Sequence, residues 1–327
     1  MTQAATEPTD SQTGPTESQT GPTRHFRTAI VPAAGMGTRF LPATKTVPKE
    51  LLPVVDTPGI ELVAGEAADS GAQRLVIVTS PGKDGVVAHF VEDLVLESKL
   101  EASGKLKMLE KVRVAPALLD VQSVVQQEPL GLGHAVACAE EVLDDDESCV
   151  AVLLPDDLVL PRGVLDVMSR VRAKRGGTVL CAFEVPEENV SAYGVFEVET
   201  VPDAVNPNVL KVTGMVEKPK REDAPSLFAA AGRYLLDRSI FDALRRTKPG
   251  AGGEIQLTDA IALLISEGHP VHVVVHRGPR HDLGNPGGYL RAAVDFALER
   301  DDYGPSLREW LTERLSDDWA PQLTTYE

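Results

Sequence analysis

The sequence predicts an α/β fold: a Rossmann-like, mixed but mostly parallel sheet flanked by helices, with a small antiparallel excursion. Three observations carry this. Apolar strand-like runs alternate with helix-like segments along most of the chain. Several of those runs are continuous and β-branched, as strands buried on both faces require. Two of them, Gly194–Glu199 and Val209–Glu217, are joined by a Pro/Asn-rich turn that reads as an antiparallel pair. Helices then cover both faces of the sheet, and a ligand lies beyond the carboxyl ends of its strands.

Taken in order, Thr28–Ala33 is an apolar run that enters a glycine-rich turn, and Pro58–Asp69 is the first helix. Arg74–Ser80, with its Leu-Val-Ile-Val centre, is the next strand, followed by a helix over Gly85–Leu100. Ser123–Gln127 is a short strand leading to a helix over Gly133–Leu143. Cys149–Pro155 is an unbroken apolar strand, and Arg162–Lys174 is the helix behind it. Thr178–Val185 and the antiparallel pair complete the middle of the chain. Helices over Arg238–Arg246 and Glu254–Glu267, the strand Val271–Arg277, and helices over Pro286–Arg300 and Ser306–Leu315 finish the series.

One domain is therefore expected over residues 25–315. Residues 1–24 are mostly Thr, Ser, Gln, Gly, Pro and Glu, with Ser11–Thr16 recurring as Ser18–Thr23, and are expected to form a disordered tail. Residues 316–327 form a second polar tail, in which Trp319 stands out. The 327 residues carry a net charge of −17, which argues against nucleic acid or an anionic membrane as partner. The three cysteines, Cys138, Cys149 and Cys181, form no C-x-x-C pair and read as buried free thiols of a cytoplasmic protein. No apolar stretch has the length of a membrane span.

The stretch Ala33-Ala34-Gly35-Met36-Gly37-Thr38-Arg39, followed by Lys49, carries the chemistry. Glycine lets the backbone approach phosphates with its N–H groups, and Arg39 and Lys49 add cationic charge. The loop lacks the closing lysine of a Walker A motif, and Phe40 occupies the third position of a dinucleotide fingerprint. Gln126-Gln127-Glu128-Pro129-Leu130-Gly131 ends a strand, and an amide there can read a base edge, donating and accepting together. Asp156 and Asp157 follow an apolar run, and carboxylates at such a strand end beside phosphates are natural Mg²⁺ ligands. Glu217 can accept from sugar hydroxyls, Lys218 can neutralise a sugar phosphate, and Gly194 lets a sugar approach the backbone. Gln256 and Asp259 read as helix-start chemistry, Glu254 as a candidate for the sugar pocket, and His134, His272 and His276 as structural.

The order G-x-G-T-R…P-K, Y-G-V…E-K-P resembles the sugar-1-phosphate nucleotidylyltransferases, and from about Arg27 to Leu315 the chain looks like the bacterial glucose-1-phosphate uridylyltransferases. The resemblance implies the nucleotide-diphospho-sugar transferase fold and the reaction of UTP with glucose 1-phosphate to give UDP-glucose and pyrophosphate, with Mg²⁺. It makes Gln127 the uracil reader beside Gly131, gives Asp156 and Asp282 to the metal, and sets Asp157 against nucleotide or sugar. Ala33, Ala34, Gly35, Gly37 and Thr38 hold the nucleotide, Arg39, Lys49 and Lys218 are catalytic, and a homodimer or homotetramer is implied. The alternatives are a thymidylyltransferase, against which the segment from Ser80 to Leu94 and then Leu100–Lys111 resembles a helical insertion of the uridylyl branch, and an inactive nucleotide-sugar sensor.

Overall fold

The computed structural model describes residues 26–201 and 206–316; the two expected tails therefore lie outside the described residues, save Ser316. Apart from a two-residue hairpin pair, Pro53–Val54 with Thr57–Pro58, its strands are β1 (Thr28–Pro32), β2 (Arg74–Thr79), β3 (Asp120–Val125), β4 (Cys149–Leu153), β5 (Asp157–Val159), β6 (Thr178–Glu184), β7 (Gly194–Thr200), β8 (Val209–Glu217), β9 (Phe228–Asp237), β10 (Val271–Val275) and β11 (Arg280–Asp282). The helices are α1 (Gly59–Asp69), α2 (Asp84–Ala88), α3 (Leu94–Ala102), α4 (Leu106–Leu118), α5 (Leu132–Cys138), α6 (Val164–Arg175), α7 (Ser239–Arg246), α8 (Leu257–Ser266), α9 (Pro286–Leu298) and α10 (Gly304–Arg314).

Nine strands form one sheet in the order β3-β2-β1-β4-β9-β6-β10-β8-β7. β1 pairs in parallel with β2 and β4, and β2 with β3, while β9 and β8 run against their neighbours. Alternate residues of each strand feed two cores. Ala29, Val31, Leu75, Ile77 and Ala151 pack with α1 and α6 on one face. Ile30, Val76, Val150 and Val152 pack with α5, α7 and α8 on the other. β5 and β11 form a separate antiparallel ladder that puts Asp157 opposite Asp282.

The expected alternation holds, with three main differences. First, β9 is a central ten-residue strand that the sequence reading omitted. Its Phe-Ala-Ala-Ala-Gly-Arg run has low β-propensity, and what seats it there is tertiary. Arg233 is fully buried and donates to both oxygens of Glu66 on α1, at 2.8–3.1 Å. Gly232, with φ 59°, breaks the β9–β6 register between Ala230 and Tyr234.

Second, the helix expected over Gly85–Leu100 is two, because the Asp93 carboxylate accepts from Leu96 N–H at 2.9 Å and starts α3 afresh. Third, Glu254, Ile255 and Gln256 precede α8 rather than begin it. Ile255 N–H donates to Leu130 O at 2.7 Å and Ile255 O accepts from Gly133 N–H at 2.8 Å.

Candidate active site

The loop beyond β1 begins as a continuation of the sheet: Ala33 N–H donates to Val78 O at 2.7 Å. Ala33 is buried and Ala34 half-buried, whereas Gly35, Thr38 and Arg39 are exposed. Gly37 sits at φ 65°, and a side-chain carbon there would lie 3.1 Å from Lys49 Cβ and 3.3 Å from Thr44 Cγ2, so conformation and space both require glycine. Thr44 Oγ1 donates to Gly37 O at 2.7 Å and closes the turn. Arg39 reaches across to donate to Gly284 O at 3.3 Å.

Asp156 follows β4, and Lys49 Nζ donates to its Oδ2 at 2.5 Å. Burial opposes the charge on Lys49, but Asp156 outweighs it and holds the ammonium above its ordinary pKa. Asp282 ends β11; its Oδ1 accepts from Gly284 N–H at 2.7 Å and its Oδ2 from Asn285 Nδ2 at 2.8 Å. Asn285 in turn caps α9 through Gly288 N–H, so a helix start fixes the carboxylate. A side-chain carbon at Gly284 would lie 2.9 Å from Asp282 Oδ1 and 3.0 Å from Asp156 Oδ2, which shows how closely the two carboxylates converge.

Asp157 is held differently. Its side chain is buried and Arg280 Nη2 donates to Oδ2 at 2.8 Å, while the guanidinium lies 4.1 Å over the Phe183 ring. Burial pushes the Asp157 carboxyl up, and Arg280 opposes that shift. Gly232 lies against it, since a carbon there would be 2.8 Å from Asp157 Oδ2. Asp157 lines the cleft, but its carboxyl is already engaged by Arg280.

Across the cleft, Glu217 Oε2 accepts from Thr258 Oγ1 at 2.7 Å and Oε1 pairs with Lys218 Nζ at 2.8 Å. Lys218 has φ 45°, a left-handed conformation uncommon for a side-chain-bearing residue, held by its N–H to Tyr193 O at 3.0 Å. Gly194 is tightly packed, with Met215 Cε and Thr258 Cγ2 each 3.0 Å from where a side chain would start.

The two glutamines of the base-reading segment differ in placement. Gln127 is exposed, whereas Gln126 is buried. Gln126 Nε2 donates to Gly131 O at 3.1 Å and lies 2.9 Å from His134 Nδ1. Strand β3 ends at Val125, so Gln126 is the first residue past the sheet and Gln127 turns out. The His134 ring lies between Gln126 Nε2 and Cys138 Sγ.

A cleft of about 350 Å³ gathers Arg39, Asp156, Asp157, Gly194, Glu217, Lys218 and Asp282. Lys49 borders an adjoining hollow that shares Asp156. Ala33, Ala34, Gly35, Gly37, Thr38, Gln127 and Gly131 do not line the cleft itself. The wall also includes Tyr193, Tyr234, Gln256, Thr258 and Arg280, which sequence reasoning did not assign to a site. Gln256 makes no capping bond to α8; its Nε2 donates to Glu254 Oε2 at 3.0 Å, so both belong to the wall. A signal existed for Thr258 and Gln256 in their closeness to Glu254, but none for Arg280, whose partner lies 123 residues away.

The nucleotidyl transferase family matches residues 28–299. UTP–glucose-1-phosphate uridylyltransferase YngB of Bacillus subtilis (strain 168) is 39% identical over 292 residues, 89% of this chain and 95% of that protein. A UTP-bound UGPase from Acinetobacter baumannii superposes with a TM-score of 0.80 at 36% identity, covering 88% of this chain and 99% of that one. A UDP-glucose pyrophosphorylase complexed with UDP-glucose superposes with a TM-score of 0.74 at 35% identity, covering 84% and 100%.

Proposed function

The chain belongs to the nucleotidyl transferase family, and on that premise we propose that it converts UTP and glucose 1-phosphate to UDP-glucose and pyrophosphate. The observation that carries this is the single cleft that brings Arg39, Asp156 and Asp282 together with Glu217 and Lys218. One set suits a triphosphate and the other a sugar phosphate. Lys49 and Lys218 both reach the site, which disfavours the inactive sensor.

The sugar-phosphate oxygen is already a nucleophile, so the residues need supply no general base. Their work is positioning and charge stabilisation. Lys218, steadied by Glu217, orients the phosphate of glucose 1-phosphate; its oxygen attacks the α-phosphorus of UTP and pyrophosphate departs. Arg39, Lys49 and the N–H groups of the loop from Ala34 to Thr38 receive the charge of the leaving group. Thr258 holds Glu217 so that its other oxygen serves Lys218 and the sugar.

The converging oxygens of Asp156 and Asp282 fit Mg²⁺, which takes one or two carboxylates and completes its shell with phosphate and water. Among the described residues no group of three or more His, Cys, Asp or Glu is placed to hold a metal ion, so the proposed ion rests on these two carboxylates. When bound, Mg²⁺ spreads the negative charge that develops on the phosphates.

Gln126 reads the base in our proposal. With Nε2 engaged by Gly131 O and His134, its Oε1 remains an acceptor for the uracil N3–H. We also read the protein as a cytoplasmic homodimer or homotetramer. Its three thiols are free, as a reducing compartment keeps them, and Leu94 and Val95 on α3 are exposed apolar side chains suited to subunit contact. Light scattering of the purified protein checks the assembly. Pyrophosphate release with glucose 1-phosphate and a panel of UTP, dTTP, CTP and ATP tests the function: UTP is used best, and preference for dTTP would instead support the thymidylyl alternative.

A further inference from the structure

Lys83 has no part in the transfer described above, yet it is tightly engaged beneath the glycine loop. It ends the tight turn beyond β2, where Gly82 has φ 85° and Lys83 N–H donates to Ser80 O at 3.1 Å. Its side chain is only 13% exposed. The ammonium donates to Ala33 O at 2.7 Å, to Gly35 O at 2.5 Å and to the Glu50 carboxylate at 2.9 Å. An ammonium has three donors and no acceptor, so these three groups use it fully and none is left for a substrate. Glu50 is itself buried, and its neighbour Lys49 is the residue bonded to Asp156.

We propose that Lys83 is the positioning residue that sets the glycine loop for the triphosphate, an inference that rests on the function proposed above. A phosphate is held by N–H groups and repelled by carbonyl oxygens. In a planar trans peptide the C=O of one residue and the N–H of the next point in opposite directions. By drawing the carbonyls of Ala33 and Gly35 to itself, Lys83 turns the N–H groups of Ala34 and Met36 the other way. Neither N–H has an acceptor among the described residues, and Gly35 and Met36 lie exposed beside them. The ammonium also leaves its charge beneath the loop. Through Glu50 the same contact fixes the backbone that carries Lys49, so one buried side chain aligns both elements that meet the phosphates.

The test combines amide hydrogen exchange with steady-state kinetics on the full chain. Lys83→Met should speed exchange in the segment 33–40, leave that of β9 unchanged, and raise the KM for UTP by about tenfold with the KM for glucose 1-phosphate unchanged. Lys83→Ala should regain UTP use when propylammonium is added, but not with tetramethylammonium, which has no N–H to donate. The exchange readout needs no turnover, and the wild-type assay judges the functional reading by itself. Unchanged loop exchange and UTP KM in Lys83→Met overturn the proposal. So does a rise in both KM values with exchange increased throughout the sheet, which would mark a merely structural lysine.

Discussion

The two halves of the cleft are built in different ways. The triphosphate half comes from one stretch, residues 33–49, seated on parallel strands packed on both faces and anchored by buried contacts of Lys83 and Lys49. The sugar-phosphate half gathers Tyr193 and Gly194, Glu217 and Lys218, and Glu254 to Thr258 from separate parts of the chain. Its cation, Lys218, is 57% exposed and held by backbone conformation and one ion pair. The difference teaches where preorganisation is concentrated. A triphosphate carries the larger charge, and the side that receives it is fixed by buried side chains before substrate arrives. The side that receives the smaller anion is fixed mainly by backbone and by the Thr258–Glu217 hydrogen bond.

The sharpest break of this comparison comes at the floor shared by both halves. Asp156→Asn and Asp282→Asn should each lower turnover by orders of magnitude with thermal melting little changed, because asparagine keeps the shape and loses the charge a divalent ion needs. Chelation should abolish activity and Mg²⁺ restore it. Near wild-type turnover by Asp282→Asn would show that the halves do not meet there.

Next in size, Arg39→Ala and Lys49→Ala should raise mainly the KM for UTP, and Lys218→Ala mainly that for glucose 1-phosphate. Loss of a charge-assisted contact costs about 1.5–3 kcal/mol, or about one to two decades. If Lys218→Ala affects UTP alone, the assignment of the halves is reversed.

Smaller still, Gln126→Ala should erode discrimination of UTP against CTP by about 1–3 kcal/mol, while Gln127→Ala leaves it intact. Comparing kcat/KM for the two nucleotides in both variants decides between neighbours. Thr258→Val should weaken glucose 1-phosphate use by about 1 kcal/mol, the net worth of one hydrogen bond, without moving the UTP constant. The smallest signal is in the frame common to both halves. Burial pushes the thiols of Cys149 and Cys181 up to about 12, so at neutral pH only half-buried Cys138 should react with a thiol reagent before unfolding. Fast labelling of all three would mean that the central sheet opens.

The local chemistry was legible in the residue order. Glycine at positions 35 and 37, the cations that follow, and acids past an apolar strand announce a phosphate site, because those properties belong to side chains and to short stretches of backbone. Continuous β-branched runs likewise announced the parallel strands. What the sequence did not disclose is decided by partners far along the chain. β9 is central although its composition is poor for a strand, because Arg233 finds Glu66 and buries there. Asp157 is paired with Arg280, and Gln126 rather than Gln127 donates to Gly131 O, the strand having ended one residue before it. Local sequence sets which groups can act; burial and pairing across the fold decide which of them are free to do so.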